Sequence, residues 1–258
     1  MEPEQPVTVV TGAGSGIGRA IAEAFARRGH ALVLAGRREE RLRQTGLLLA
    51  TPWLAVPTDL RRPEQVGALV DAAVGRFGRV DVLVNAAGIL FKGDIAEHAP
   101  EAITNVLAVN AVGPACVIAR LWPVFLRQGS GCVINISSIA TQHRHSGPLA
   151  YTASKGALDM LTQCCAIEGR HYGVRAFSIN PGPVETAMLR SHYDESAVPR
   201  GTVLSTERVA KLAVECVDGR WNHRNGSAIV VTARQPRGER HTLVINLARR
   251  ARRWAFGH

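Results

Sequence analysis

Lysine is scarce in this 258-residue chain: three residues, at positions 92, 155 and 211, against 28 arginines. Tyrosine is equally rare, with three. A lysine placed beside a tyrosine therefore invites a chemical reading, because arginine is the cation this chain otherwise uses. Cysteine is limited to Cys116, Cys132, Cys164, Cys165 and Cys216, which form no CxxC pair and sit among apolar neighbours. That pattern excludes a zinc-type cluster and predicts reduced core thiols. The nine histidines show no metal-ligand spacing, so no metal is expected.

Long hydrophobic runs are missing too. No stretch approaches the roughly 18 uninterrupted apolar residues of a membrane span, and the opening "MEPEQPVTVV" lacks a basic region followed by a long apolar one. The expectation is a soluble, cytoplasmic protein. Gly/Pro clusters are short and no composition shift marks a boundary, which predicts one domain over residues 1–258 with a basic segment, 233–258, at its end. A chain of this length can bury a substantial core.

The net charge of +10 comes mostly from arginine. It implies affinity for anions, whether cofactor phosphates, acidic partners, nucleic acid or anionic lipid, and does not choose among them.

Short β-branched runs alternate with segments of helical period. Seven strands are expected at 7–10, 31–36, 53–58, 80–88, 131–137, 174–180 and 227–232, and helices at about 17–29, 38–49, 64–77, 100–128, 151–172 and 206–218. This order predicts an α/β fold: a doubly wound, mainly parallel seven-stranded sheet with helices on both faces, joined by right-handed crossovers. The strands are nearly continuous apolar runs, as strands buried on both faces are. Ligands of such sheets sit beyond the carboxyl ends of the strands, so the polar residues there are the ones to inspect.

After the first strand comes "TGAGSGIGRA", with glycines at 12, 14, 16 and 18, opening a helix. Glycine permits positive φ and a close approach of backbone N–H groups to a phosphate, which the helix dipole also favours. The spacing is TGxxxGxG rather than GxGxxG, and no GK[ST] follows, which excludes a P-loop. The second strand ends at Gly36, Arg37 and Arg38, where a carboxylate for ribose hydroxyls would signal NAD. Arginines there suit a 2′-phosphate, so NADP(H) is preferred over NAD(H). They stand at a helix start, a poor place for cations without such a ligand.

In "YTASK", Tyr151 and Lys155 are one helical turn apart on one face. A free tyrosine holds its proton until about pH 10, and a nearby cation lowers that value. The pair is therefore expected to make a proton donor usable near neutrality.

These motifs, together with Asp59 after the third strand, "NAAG" at 85–88, Asn110, "NISS" at 135–138 and "PGPVET" at 181–186, resemble the classical short-chain dehydrogenase/reductase family over about residues 7–232. The resemblance implies a Rossmann fold and an oxidoreductase moving a hydride between NADP(H) and a secondary alcohol/ketone, including 3-oxoacyl thioesters. It implies Tyr151 as proton donor, Lys155 as its cation and ribose contact, Ser138 as hydrogen-bond donor to the substrate oxygen with Ser137 as rival, and Asn110 as a helix-kink residue holding a water. By the same resemblance the cofactor lies against Gly12, Ser15, Gly16, Ile17, Gly18, Arg37, Arg38, Asp59, Leu60, Asn85, Gly88, Pro181, Gly182, Val184 and Thr186. Asp59 would accept from the adenine amino group, Asn85 would steady the fourth strand, and Thr186 would bond the carboxamide. Ala86 departs from the commoner second Asn, a change expected to be tolerated. A homodimer or homotetramer is also implied.

Substrate is expected to touch "IATQHRHSGPLA", where His143, Arg144 and His145 stand, and the stretch after "PGPVET". The end of the chain, "LVINLARRARRWAFGH", offers an apolar face (Leu243, Leu247, Trp254) and an arginine face (Arg249, Arg250, Arg252, Arg253), read as a helix against a neighbouring subunit, with an anionic membrane or nucleic acid as alternatives. The competing function class is a non-catalytic NADP(H)-binding regulatory or scaffold protein. It is disfavoured because such a module needs none of Asn110, Ser138, Tyr151 and Lys155 together.

Overall fold

Alternation within the strands sorts the core into two layers. Along the second strand Leu32 and Leu34 face one apolar cluster, while Val33 and Ala35 face another on the opposite side of the sheet. The computed structural model describes residues 5–142, 149–233 and 244–245. Its elements run β1 (Val7–Thr11), α1 (Gly16–Ala26), β2 (Ala31–Gly36), α2 (Glu39–Gly46), β3 (Trp53–Pro57), α3 (Pro63–Phe77), β4 (Val82–Asn85), α4 (Pro100–Leu107), α5 (Gly113–Gln128), β5 (Gly131–Ile136), α6 (Leu149–Gly169), β6 (Val174–Pro181), α7 (Ala187–His192), α8 (Thr206–Val217), β7 (Ala228–Val231) and β8 (Val244–Ile245).

The sheet order is β3-β2-β1-β4-β5-β6-β7-β8. The seven expected strands are all parallel, and helices cover both faces. An eighth strand was not anticipated: Val244–Ile245 pairs antiparallel with β7. The helix expected over "LVINLARRARRWAFGH" therefore does not include these two residues. Its named apolar and arginine residues lie outside the described residues. The short helix α7 was also unforeseen, because six residues carry too little periodicity to register.

Strand order reverses between β1 and β4, which leaves a crevice at their carboxyl ends. Thr11 and Asn85 stand opposite each other there. The Thr11 hydroxyl accepts from the Ala86 and Ala87 amides at 3.2 Å each, fastening the exit of β4 to the end of β1.

The expected helix 100–128 is two helices separated by a π turn, Ala108–Val112. Asn110 lies in that turn and is fully buried. Its Oδ1 accepts from the Ile89 amide at 2.8 Å, and its Nδ2 donates to the Ile89 carbonyl at 2.9 Å and to Ser154 Oγ at 3.1 Å. One side chain thus ties the loop after β4 to α6. The widened turn resolves the cost of an amide among apolar residues, since every polar atom finds a partner. The stretch Pro100–Gln128 is long and apolar enough to cross a membrane by length and composition. Here it is the crossover from β4 to β5, with Val117, Leu121, Val124 and Phe125 buried in the core against α3.

The cysteines divide. Cys132, Cys165 and Cys216 are buried, Cys116 is partly buried, and Cys164 is exposed, which corrects the expectation of five core thiols. Burial pushes the Cys132 and Cys165 thiols up to about 12, and Cys216 upward as well.

Replacing Asn110 by Ala removes the partner of the part-buried Ile89 amide and carbonyl and of Ser154 Oγ. We expect Asn110→Ala to lower the unfolding free energy by about 2–4 kcal/mol, read from urea titration against wild type.

Candidate functional site

A cavity of about 580 Å³ opens at the carboxyl ends of the strands, and its walls come from the segments following β1, β2, β3, β4, β5 and β6. At one end lies the glycine turn. Gly12 has φ of 72° and a Cβ there would stand 2.8 Å from the Ala87 backbone, while a Cβ on Gly18 would meet the Gly12 carbonyl oxygen at 2.3 Å. Only glycine lets the turn fold this tightly, and α1 begins within it, with Ser15 as N-cap. The free N–H groups of the first helical turn and the dipole end make this a place for an anion.

Beyond the turn, Arg37 and Arg38 line the same end, exposed at the start of α2. Arg41, one turn along α2, joins them. It was missed because Arg recurs throughout this region; its signal was the three- and four-residue spacing from Arg38 and Arg37. Asp59 and Leu60 form the adjoining wall. Both Asp59 carboxylate oxygens accept from the Arg61 guanidinium, which holds the carboxyl down at about 2. Arg61 in turn reaches Asn105 Oδ1 on α4 at 3.0 Å. The adenine acceptor implied for Asp59 is thus already engaged, and Arg61 fixes its direction.

At the other end, Ser138, Tyr151 and Lys155 line one wall, and Gly88 faces them. The two serines are no longer equivalent. Ser137 Oγ donates to the Lys155 carbonyl at 3.0 Å and is spent on structure, whereas Ser138 Oγ accepts from the Ala140 amide at 3.1 Å and keeps its own proton to donate. Lys155 is 4% exposed; its Nζ donates to the Ile136 carbonyl at 2.7 Å and lies 5.6 Å from the Tyr151 ring centroid.

The electrostatics correct one expectation. Burial raises the Tyr151 phenol above its usual value, more than the Ser138 hydroxyl lowers it, and nearby Tyr193 adds to the rise. Lysine proximity does not reverse this in the free protein, because burial also draws Lys155 down to about 8, with Asp159 acting the other way. Tyr151 is therefore a protonated acid throughout the neutral range.

Pro181, Gly182, Val184 and Thr186 close the cavity from the β6 side. Thr186 caps α7: its hydroxyl accepts from the Leu189 amide at 3.2 Å and donates to the Val184 carbonyl at 3.2 Å, leaving one lone pair for a donor in the cavity. Gly12, Ser15, Gly16, Ile17 and Gly18 also line it. Asn85 does not line it, and neither does Asn110. Asn85 is buried in the sheet and donates to Asn135 Oδ1 at 2.9 Å, so it steadies β4 from behind the wall.

The mouth beside Tyr151 is apolar, with Leu90, Val109, Ile139, Leu189 and Val198, and with Tyr193 beneath the Lys92 ammonium at 4.5 Å. His143, Arg144 and His145 lie outside the described residues. Among the described residues no cluster of metal-ligating side chains occurs.

Residues 6–197 match the family model described as short chain dehydrogenase. An uncharacterized oxidoreductase of Staphylococcus saprophyticus is 38% identical over 192 residues, covering 73% of this chain and 82% of that protein. One of Staphylococcus epidermidis is 35% identical over 185 residues, covering 72% and 80%. The solved structure of 3-ketoacyl-(acyl-carrier-protein) reductase from Brucella melitensis complexed with NADH superposes with a TM-score of 0.84 at 28% identity, covering 89% of this chain and 98% of that one. Levodione reductase shares the fold, with a TM-score of 0.83 at 24% identity over 88% and 96% of the two chains. With its glycine turn, its "YTASK" helix and this extended match, the chain belongs to the short-chain dehydrogenase family of oxidoreductases.

Proposed function

We propose that this protein moves a hydride between NADP(H), in preference to NAD(H), and a secondary alcohol/ketone pair carried on an apolar body. The observation that supports it best is the common wall of Ser138, Tyr151 and Lys155 at one end of a cavity whose other end is an anion-holding turn. The dinucleotide, when bound, supplies or accepts the hydride. Gly12, Gly16, Gly18 and the first turn of α1 fit its pyrophosphate, because glycine at 12 and 18 lets the turn close against the Ala87 backbone and the Gly12 carbonyl and bring the start of α1 to the cavity.

Arg37, Arg38 and Arg41 would hold the 2′-phosphate, three guanidiniums with no carboxylate at the end of β2. The Brucella neighbour is described with NADH, so the preference for NADP(H) rests on these arginines of the present chain.

In the reducing direction the Tyr151 hydroxyl donates its proton to the carbonyl oxygen, and Ser138 Oγ donates a hydrogen bond to the same oxygen. The two donors stabilise the negative charge that grows there. Lys155 as ammonium stabilises the tyrosinate left behind. The apolar mouth favours aliphatic or cyclic ketones and 3-oxoacyl thioesters over small hydrophilic carbonyls. Exposed Met160 and Ile167 on α6 support self-association as a homodimer or homotetramer.

Tyr151→Phe is expected to lower kcat for carbonyl reduction by at least about a thousandfold while leaving the NADPH dissociation constant within about threefold of wild type, measured by stopped-flow fluorescence and steady-state turnover. Turnover equal to wild type refutes the proton-donor role. NADPH binding with no turnover of any ketone, aldehyde or oxoacyl thioester in a broad screen favours the non-catalytic scaffold.

Arg37→Ala is expected to weaken NADPH binding about tenfold and NADH binding hardly at all. Equal weakening overturns the cofactor preference.

Since kcat/KM reports the free enzyme, its value for reduction is expected to fall as pH rises through about 8, where Lys155 loses its charge. A flat profile from pH 6 to 10 contradicts the role given to Lys155.

A further inference from the structure

Tyr151, Lys155 and Asp159 follow one another at four-residue spacing along α6, each one turn from the next on the same face. Asp159 is 5% exposed, and none of the described ion pairs includes it. An isolated buried carboxylate is costly to fold around, and a core position of this size is cheaper to fill with Leu or Asn. Two side-chain donors converge on it. Ser178 Oγ donates to Oδ1 at 2.6 Å, and Asn180 Nδ2 donates towards Oδ1 and Oδ2 at 3.2 and 3.0 Å, both donors coming from β6. Ser178 Oγ also lies 2.8 Å from Asn180 Oδ1; its single proton goes to the shorter, charge-assisted contact.

The Lys155 amine is buried as deeply. β5 presents the Ile136 carbonyl to it, the Tyr151 ring centroid is 5.6 Å away, the loop after β4 passes it at Gly88, and Asp159 stands one turn further along α6. Among these Asp159 is the anion.

We propose that Asp159 is a positioning residue of the reaction, a buried counter-charge held by Ser178 and Asn180 that keeps the Lys155 amine in its ammonium form beside Tyr151. The inference rests on the role given to Lys155 above. Burial pulls Lys155 towards neutrality and Asp159 opposes that pull, so the carboxylate favours the charged amine. The same network touches the other proton donor, because Asn180 Nδ2 also reaches the Ser138 carbonyl at 3.2 Å and Thr141 Oγ1 at 3.0 Å.

The test reads Lys155 directly. With three lysines in the chain, the Nζ resonance of Lys155 is assigned by its loss in Lys155→Arg, and its titration is followed by nitrogen-15 NMR in wild type, Asp159→Asn and Asp159→Glu. Asp159→Asn is expected to move the Lys155 midpoint to lower pH by roughly one unit, the size of a charge pair one helical turn apart. It moves the alkaline limb of kcat/KM by the same amount, so activity at pH 6 stays near wild type and activity at pH 8 falls about fivefold. Asp159→Glu restores both midpoints. An unmoved Lys155 midpoint in folded Asp159→Asn overturns the proposal, as does a uniform loss of kcat with no shift of the limb. If Asp159→Asn does not fold, Asp159→Ser removes the same charge while still accepting from Asn180, and a wild-type Lys155 already neutral below pH 7 overturns the proposal without any variant. An active Lys155→Ala, in contrast, refutes the catalytic role of the lysine and leaves the NMR result standing.

Discussion

Polar side chains trapped between the carboxyl ends of the strands and α6 have no water to turn to, and the geometry of the cavity follows from how they satisfy one another. Asn135 is the hub, accepting from Asn85 across the sheet and donating to Thr162 on α6 at 2.9 Å. Asn180 gathers Asp159, Thr141 and the Ser138 carbonyl, and Asn110 gathers Ile89 and Ser154. Each of these bonds is modest by itself, yet leaving any partner unsatisfied in the interior costs more than making it gains. The network therefore locks β4, β5, β6 and α6 into one register, and that register brings Ser138, Tyr151 and Lys155 to one wall.

That wall works against its own burial. Withdrawal from water favours the neutral forms of both Tyr151 and Lys155, and the two effects are not equivalent chemically. A neutral tyrosine is the form an acid needs, whereas a neutral lysine stabilises no phenolate. Burial thus helps one partner and hinders the other, and the carboxylate of Asp159 lies on the side of the one it hinders.

Legibility in the sequence followed the range of the interactions. The parallel strands, the glycine turn and the Tyr151–Lys155 spacing are local patterns and could be read directly. Ser138 could be chosen over Ser137 only through a likeness of spacing, while the structure separates them by a hydrogen bond to a carbonyl eighteen positions away. Asn85 looked like a cavity residue and is instead behind the wall, since its side-chain direction depends on the pleat and on Asn135. The π turn is invisible as periodicity because it changes the helix by a single residue, and it became apparent only from what Asn110 bonds. Asp159 was hidden among helix residues, since nothing in "GALDML" reveals that Ser178 and Asn180 will arrive opposite it.

The bond from Arg61 to Asn105 gives α4 a second purpose. Asn105 stands near the end of α4, and Asn110 follows just beyond it in the widened turn, so one short stretch of backbone touches the arginine-lined end of the cavity through Asp59 and the tyrosine-lined end through Ile89. The separation between the two ends is measured by this stretch as by a gauge block. A helix wound one residue tighter would set the block to a different length, and a ligand long enough to occupy both ends would no longer match it.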